Sequence, residues 1–176
     1  MLTNEQIKLL ESYRDKSYVS NILCAETSNF YSFIKNLVNI PLILSSSVMT
    51  VLNSADFDPH TMRVPNIVLN ASTGLILSLI NNYKLGEKCG TFRNKSIKYM
   101  HLTNQIEDSL TNDIDNITVD KIRNYINEYD SISESLEFGY PTHIKNRIRQ
   151  RFIDKKKLPN FLNMVGSFVQ ADTEVV

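Results

Sequence analysis

Residues 36–55 read NLVNIPLILSSSVMTVLNSA, and residues 64–83 read VPNIVLNASTGLILSLINNY. Neither stretch carries a charge, although charged residues make up 22% of the chain. At that frequency a charge should recur about every four or five positions. Each stretch is 20 residues long. A helix of about 20 residues rises about 30 Å, the thickness of a bilayer's hydrocarbon core. Residues 56–63 join them as a short polar linker that holds Asp58-Pro59, a turn signal. Two equal apolar stretches and a short turn predict an antiparallel hairpin. The expected fold class is all-α: a two-span transmembrane helical hairpin with long cytosolic helical flanks.

The spans are not purely apolar. The first has 11 aliphatic, Met or Ala residues and eight Asn, Ser or Thr; the second has ten and seven. A buried hairpin in a soluble helical bundle is the competing reading of such a composition. Pro41 and Pro65 fall in the first turn or two of their spans, where a missing N–H costs least. Asn39, Ser46, Thr50 and Asn53 recur at helical spacing in the first span, and Asn66, Asn70, Thr73 and Asn81 in the second. Each set is expected along one helical face. Facing each other, the two stripes would hydrogen-bond within the hairpin, with Ser and Gly allowing close approach. Facing a common lumen, they would line a pore in a homo-oligomer. With no charge in either stripe, no proton relay or voltage sensor is implied.

The flanks read as helices. Thr3 and Gln6 stand at capping-box spacing. Ile7, Leu10, Tyr13, Ile22 and Ala25 give an apolar stripe leading to the first span. From Lys84 the chain is expected to continue as a helix to about Leu110, with Phe92, Tyr99, Leu102 and Ile106 near one side. Thr118 is placed to cap a further helix carrying Ile122, Tyr125, Tyr129, Ile132 and Leu136, with Gly139 as its stop. Pro141-Thr142 opens a basic helix with Ile144, Ile148 and Phe152. The organisation expected is an N-terminal helix (1–35), the hairpin (36–83), a cytosolic helical region (84–157) and a C-terminal tail (158–176). Residues 1–16 lack the apolar core of a signal peptide, so insertion would use the internal spans.

Nothing points to catalysis. Lys+Arg and Asp+Glu are both 19, so no net charge favours nucleic acid. His60, His101 and His143 are isolated, and there is no HExxH, P-loop or GxGxxG. Asp108, Asp113, Asp115 and Asp120 surround a loop but lack EF-hand spacing, and read as solvated caps. Cys24 and Cys89 form no CxxC and read as small buried or juxtamembrane residues in a reducing compartment. Gly86 and Gly90 make a GxxxG, but a charged one beyond the apolar span. The expectation is a protein that is not an enzyme and has no cofactor or metal site.

Lys145, Arg147, Arg149, Arg151, Lys155, Lys156 and Lys157 place seven cations within 13 residues, against one acid, Asp154. A solvated helix face is one reading. Contact with anionic lipid headgroups is the other, at about 1 kcal/mol per cation near the surface. No interleaved aromatic platform suggests nucleic acid. Lys84, Lys88, Arg93, Lys95 and Lys98 follow the second span, and Lys35 precedes the first. The linker holds only Arg63, beside Asp56 and Asp58. Cations are retained on the cytosolic side, so both termini are expected there.

The layout resembles the SLATT family, the SMODS- and SLOG-associated two-transmembrane effector proteins. The resemblance rests on an N-terminal helix, two close spans, a long helix containing Tyr83-Lys84, Phe92, His101 and Ile106, and then Tyr129-Asp130 and Tyr140-Pro141. It covers roughly residues 12–152. The chain's 19 Asn and 18 Ile look like versions carried by large eukaryotic DNA viruses. The resemblance implies a pore-forming membrane effector. In viral relatives it implies a virion or host-membrane component, which would be anchored in an internal membrane and contact capsid proteins through its helical flanks. The chain departs from the family in its polar spans and in lacking a fused sensor domain. A soluble helical interaction module is a third possibility.

Overall fold

The computed structural model describes residues 3–54, 59–112, 117–135 and 137–152. Five helices follow in order: α1 (Asn4–Ser54), α2 (Pro59–Asn82), α3 (Leu85–Asn112), α4 (Val119–Glu134) and α5 (Thr142–Arg151). Among the described residues there is no strand. The chain divides into two compact units, Met1–Thr27 with Thr91–Val176, and Ser28–Gly90. Both boundaries fall inside helices, in α1 and in α3.

The helix starts follow local chemistry. At the start of α1, the Thr3 N–H donates to Gln6 Oε1 (2.9 Å) and the Gln6 N–H to Thr3 Oγ1 (3.3 Å), a reciprocal capping box. At α4 the Lys121 N–H donates to Thr118 Oγ1 at 3.3 Å. Pro141 precedes α5, where its missing N–H is not needed.

Four sequence expectations are corrected. The linker is shorter than residues 56–63, because Pro59 is already the first residue of α2. Proline there has a preset φ and lacks only an N–H that the first turn would leave unpaired. The helix after the second span does not run on from it. Lys84 adopts a left-handed φ of 50°, and α3 starts afresh at Leu85. α4 ends at Glu134 rather than at Gly139. There the Ser135 N–H donates to the Ser131 carbonyl, and two side chains, Lys95 and Ser135, donate to the Ile132 carbonyl. Helix-end carbonyls satisfied in this way need no glycine. Finally, Pro41 lies deep inside α1, which passes Lys35 and Asn36 without a break. Its missing N–H therefore leaves an interior carbonyl, that of Leu37, without its usual donor.

The first unit is a water-type core. Leu10, Val19, Leu23 and Cys24 from α1 are buried, with Phe92, Tyr99, Leu102 and Ile106 from α3. Ile122, Tyr129 and Ile132 from α4 and Ile144 and Ile148 from α5 complete it. On α3 the inward positions 92, 95, 99, 102, 106 and 109 are spaced by three and four, the seam of closely packed helices. Ser17 Oγ donates to the Tyr99 carbonyl at 2.9 Å, and Ser96 Oγ to Asn21 Oδ1 at 2.7 Å. These pairs rise on α1 as they fall on α3, so the two helices run antiparallel.

Candidate functional site

The second unit packs differently. On α1 the half-buried positions are Ile34, Val38, Asn39, Leu42, Ser45 and Met49; on α2 they are Asn66, Leu69, Thr73, Ile76 and Ile80. The α2 positions keep strict three–four spacing, so the two helices meet along one narrow seam. Beyond that seam the surface stays apolar. Leu37, Ile40, Ile43, Leu44, Val48 and Val51 on α1 are exposed, as are Val64, Ile67, Val68, Leu75, Leu77 and Leu79 on α2. Each helix is long and apolar enough to cross a membrane: its most apolar 18-residue window averages a hydropathy of 1.3, and no residue in that window is buried.

The predicted polar stripe is divided. Asn39, Asn66 and Thr73 are half-buried, whereas Ser46, Thr50, Asn70 and Asn81 are exposed. The Asn53 side chain lies outside the described residues. At about 3.6 residues per turn, the exposed members sit roughly a quarter turn from the seam, so they do not face the other helix. Thr50 Oγ1 instead donates to the Ser46 carbonyl at 3.0 Å, and Ser45 and Ser47 donate likewise to Pro41 and Ile43, at 2.8 and 2.9 Å. A hydroxyl bonded to its own helix needs neither water nor a partner helix. Nor does glycine bring the helices close: a Cβ added at Gly74, Gly86 or Gly90 would meet nothing within 4 Å.

Aromatic and cationic side chains gather where the second span ends. Phe33 and Tyr83 are exposed, Tyr31 is half-buried, and Lys88 Nζ stands 5.7 Å from the Tyr31 ring centroid. Lys84 Nζ pairs with Glu87 at 3.2 Å. Rings with long cations are the side chains that suit a membrane–water boundary. The sequence reading counted these cations for orientation and used Tyr83 only for the family resemblance, and it missed Tyr31 beside them. The pairing of aromatics with the span ends was the available signal. Ser28 Oγ donates to the Cys89 carbonyl at 3.0 Å, fixing the start of α3 in this unit.

The basic helix is less uniform than its sequence. Arg147 pairs with Glu26, and Arg151 approaches the same carboxylate at 3.6 Å. An acid from α1 therefore offsets part of a cluster in which Asp154 is the only acid in sequence. Ile144 and Ile148 are buried. With about 100° per residue, Arg147 and Arg151 lie to one side of them, and half-buried Lys145 and Arg149 to the other. α5 thus presents two small basic flanks. Lys155, Lys156 and Lys157 lie outside the described residues.

A polar group inside the first unit escaped the sequence reading. Lys95, counted there as a juxtamembrane cation, is 6% exposed and donates to the Ile132 carbonyl at 2.7 Å. Its ammonium meets the negative end of the α4 dipole. Burial nevertheless pushes the lysine below its ordinary pKa. Cys24 Sγ lies 3.3 Å from the Tyr140 hydroxyl, and burial raises its thiol to about 11. Tyr99, Tyr129 and Tyr140 are raised too, chiefly by burial. The Tyr99 and Tyr129 rings meet at a tilt with centroids 5.6 Å apart, as do Phe92 and Tyr140 at 5.2 Å. A protonated thiol among protonated phenols is a poor nucleophile, so this group packs the unit. Both cysteines are free thiols. His101 and His143 are exposed, and among the described residues no three His, Cys, Asp or Glu side chains gather as a metal site would require.

No family model, curated protein or solved structure matches the chain.

Proposed function

We propose that residues 28–90 insert into a bilayer as a two-span hairpin, and that several copies associate there to form a pore or to shape the membrane. The carrying observation is the outward apolar surface of the second unit. Of 19 large hydrophobic residues exposed among the described residues, 14 belong to it. A hairpin in water would turn such residues inwards, since burial is worth about 25 cal/mol per Å². In lipid they need no cover. Exposed Asn70 and Asn81 support self-association, because an amide facing hydrocarbon is better satisfied by a neighbouring copy. The resemblance of its layout to that of the SLATT family agrees with this role. The first unit then serves as a helical cytosolic body without catalysis, and the Lys/Arg excess near the span ends favours both termini in the cytosol.

Alkaline carbonate extraction tests insertion. The chain should stay in the membrane pellet, and release to the supernatant sinks the proposal. In purified form, reconstituted in liposomes, it should release a trapped dye if it forms pores; a reshaped but sealed vesicle points to the membrane-shaping alternative. For orientation, a single cysteine placed at Asp58 should resist an impermeant reagent added from the cytosolic face.

A further inference from the structure

We infer that α2 carries a second packing face, formed by Ile67, Asn70, Gly74, Leu77 and Asn81, and that in the bilayer it meets the same face of a second copy of this chain. The inference rests on the membrane reading above and names the surface through which copies associate. All five residues are exposed. They stand three, four, three and four positions apart, the spacing that α2 already uses against α1. At about 100° per residue, the face lies roughly a quarter turn from the α1 seam, so one helix can serve both contacts. Between Ile67 and Asn81 there is no charge. Asn70 stands near the middle of the 64–83 span, with Asn81 towards its end. Among the described residues, neither amide has a side-chain hydrogen bond within the chain. An amide left alone in hydrocarbon is costly.

The chemistry of this face selects its partner. Copies inserted the same way run their α2 helices parallel, so each residue meets its twin at the same depth across a two-fold axis. An asparagine amide both donates and accepts, so two copies of Asn70 satisfy each other, as do two copies of Asn81. A charged partner would find no counter-charge here, and a lipid acyl chain would leave the amides unpaired. Short side chains reach each other only between closely spaced helices. Gly74, between the two asparagines, allows that spacing: an added Cβ would meet nothing within 4 Å inside the chain, so the room it leaves is open to the second copy. On α1 the exposed Ser47 and Thr50 differ, because their hydroxyls return to carbonyls of their own helix.

Full-length chains carrying a donor or an acceptor dye at the N-terminus are reconstituted in phosphatidylcholine vesicles, and energy transfer is followed against the protein-to-lipid ratio. Saturable transfer is expected. Asn70→Leu should weaken association about five-fold, and Gly74→Leu about ten-fold or more; circular dichroism confirms that each variant is folded. In unlabelled chains oxidised with copper phenanthroline, Leu77→Cys should give a disulfide-linked dimer. Leu79→Cys, exposed on the far side of α2, should give only the background of the unsubstituted chain with its Cys24 and Cys89. Association unchanged by both Asn70→Leu and Gly74→Leu, or equal cross-linking of Leu77→Cys and Leu79→Cys, overturns this face and leaves the membrane reading standing. Monomers in vesicles overturn the face and self-association together. Carbonate extraction is read separately, and a chain released from membranes overturns the membrane reading whatever the vesicles give.

Discussion

α1 contributes to both units with nearly the same rhythm, yet the two units treat apolar residues in opposite ways. In the first, Leu10, Tyr13, Ser17, Ser20, Cys24 and Thr27 point inwards at three–four spacing; in the second, Tyr31, Ile34, Val38, Leu42, Ser45 and Met49 nearly continue it. The seam of the first unit is small and partly polar. Its burial is supplied by α3, α4 and α5, which bring Phe92, Tyr129 and Ile148 inside. The seam of the second is more apolar, but among the described residues only α2 and the first turn of α3 cover it. Of the 15 hydrophobic residues buried among the described residues, 14 lie in the first unit, and Leu85 is the exception. Apolar content alone does not tell a buried core from an outward apolar surface. What separates them is whether enough other helices exist to enclose the apolar residues.

The largest expected effect comes from truncating each kind of apolar residue. Phe92→Ala removes a fully buried ring and should cost about 3–5 kcal/mol of unfolding free energy. Leu44→Ala, at a site 60% exposed, should change it by less than about 0.5 kcal/mol. Denaturant unfolding in mild detergent measures both, and equal losses would break the distinction between the units.

Charge sharpens the comparison from the other side. Leu75→Asp should oppose insertion by about 2.5–3.5 kcal/mol and shift chain from carbonate pellet to supernatant. Ile97→Asp, also on an exposed site but in the first unit, should leave fractionation unchanged. If both variants fractionate alike, the second unit has no special relation to lipid.

A pH scan reads the first unit's polar core. The Cys24 thiol is raised from 9.0 to about 11 by burial. Its proton is held more tightly in the folded chain, so its contribution is complete below pH 9 and is lost as pH rises towards 11. That amounts to about 2–3 kcal/mol. The raised phenols of Tyr99, Tyr129 and Tyr140 act in the same direction. Lys95 opposes them, since a depressed lysine pKa makes the folded state gain stability with rising pH. Thermal unfolding followed by circular dichroism should fall across this window, and Cys24→Ser should flatten the fall. An identical slope in the variant would remove the thiol from the account.

The smallest effect concerns Glu26. Its partners Arg147 and Arg151 are each 65% exposed, so Glu26→Gln should cost under about 1 kcal/mol. A larger loss in the same melting assay would show that this ion pair, rather than Ile144 and Ile148, holds α5.

Short-range chemistry made part of the fold readable. Two uncharged stretches announced the apolar helices because every charge within them would be costly in lipid or in a core. Thr3, Gln6, Thr118 and Pro141 announced helix starts because caps act over three or four residues. Phe92, Tyr99, Leu102 and Ile106 showed their common face because helical periodicity is local. The tertiary structure decided what those rules cannot reach. Glu26 meets Arg147 across 121 positions, and Lys95 meets the Ile132 carbonyl across 37. A lysine's burial depends on which distant helix end it finds, and no local pattern carries that information. The polar stripes illustrate the same limit. Periodicity put Ser46 and Thr50 on one face of α1, but which face meets α2 is set by how both helices pack, and the seam formed a quarter turn away.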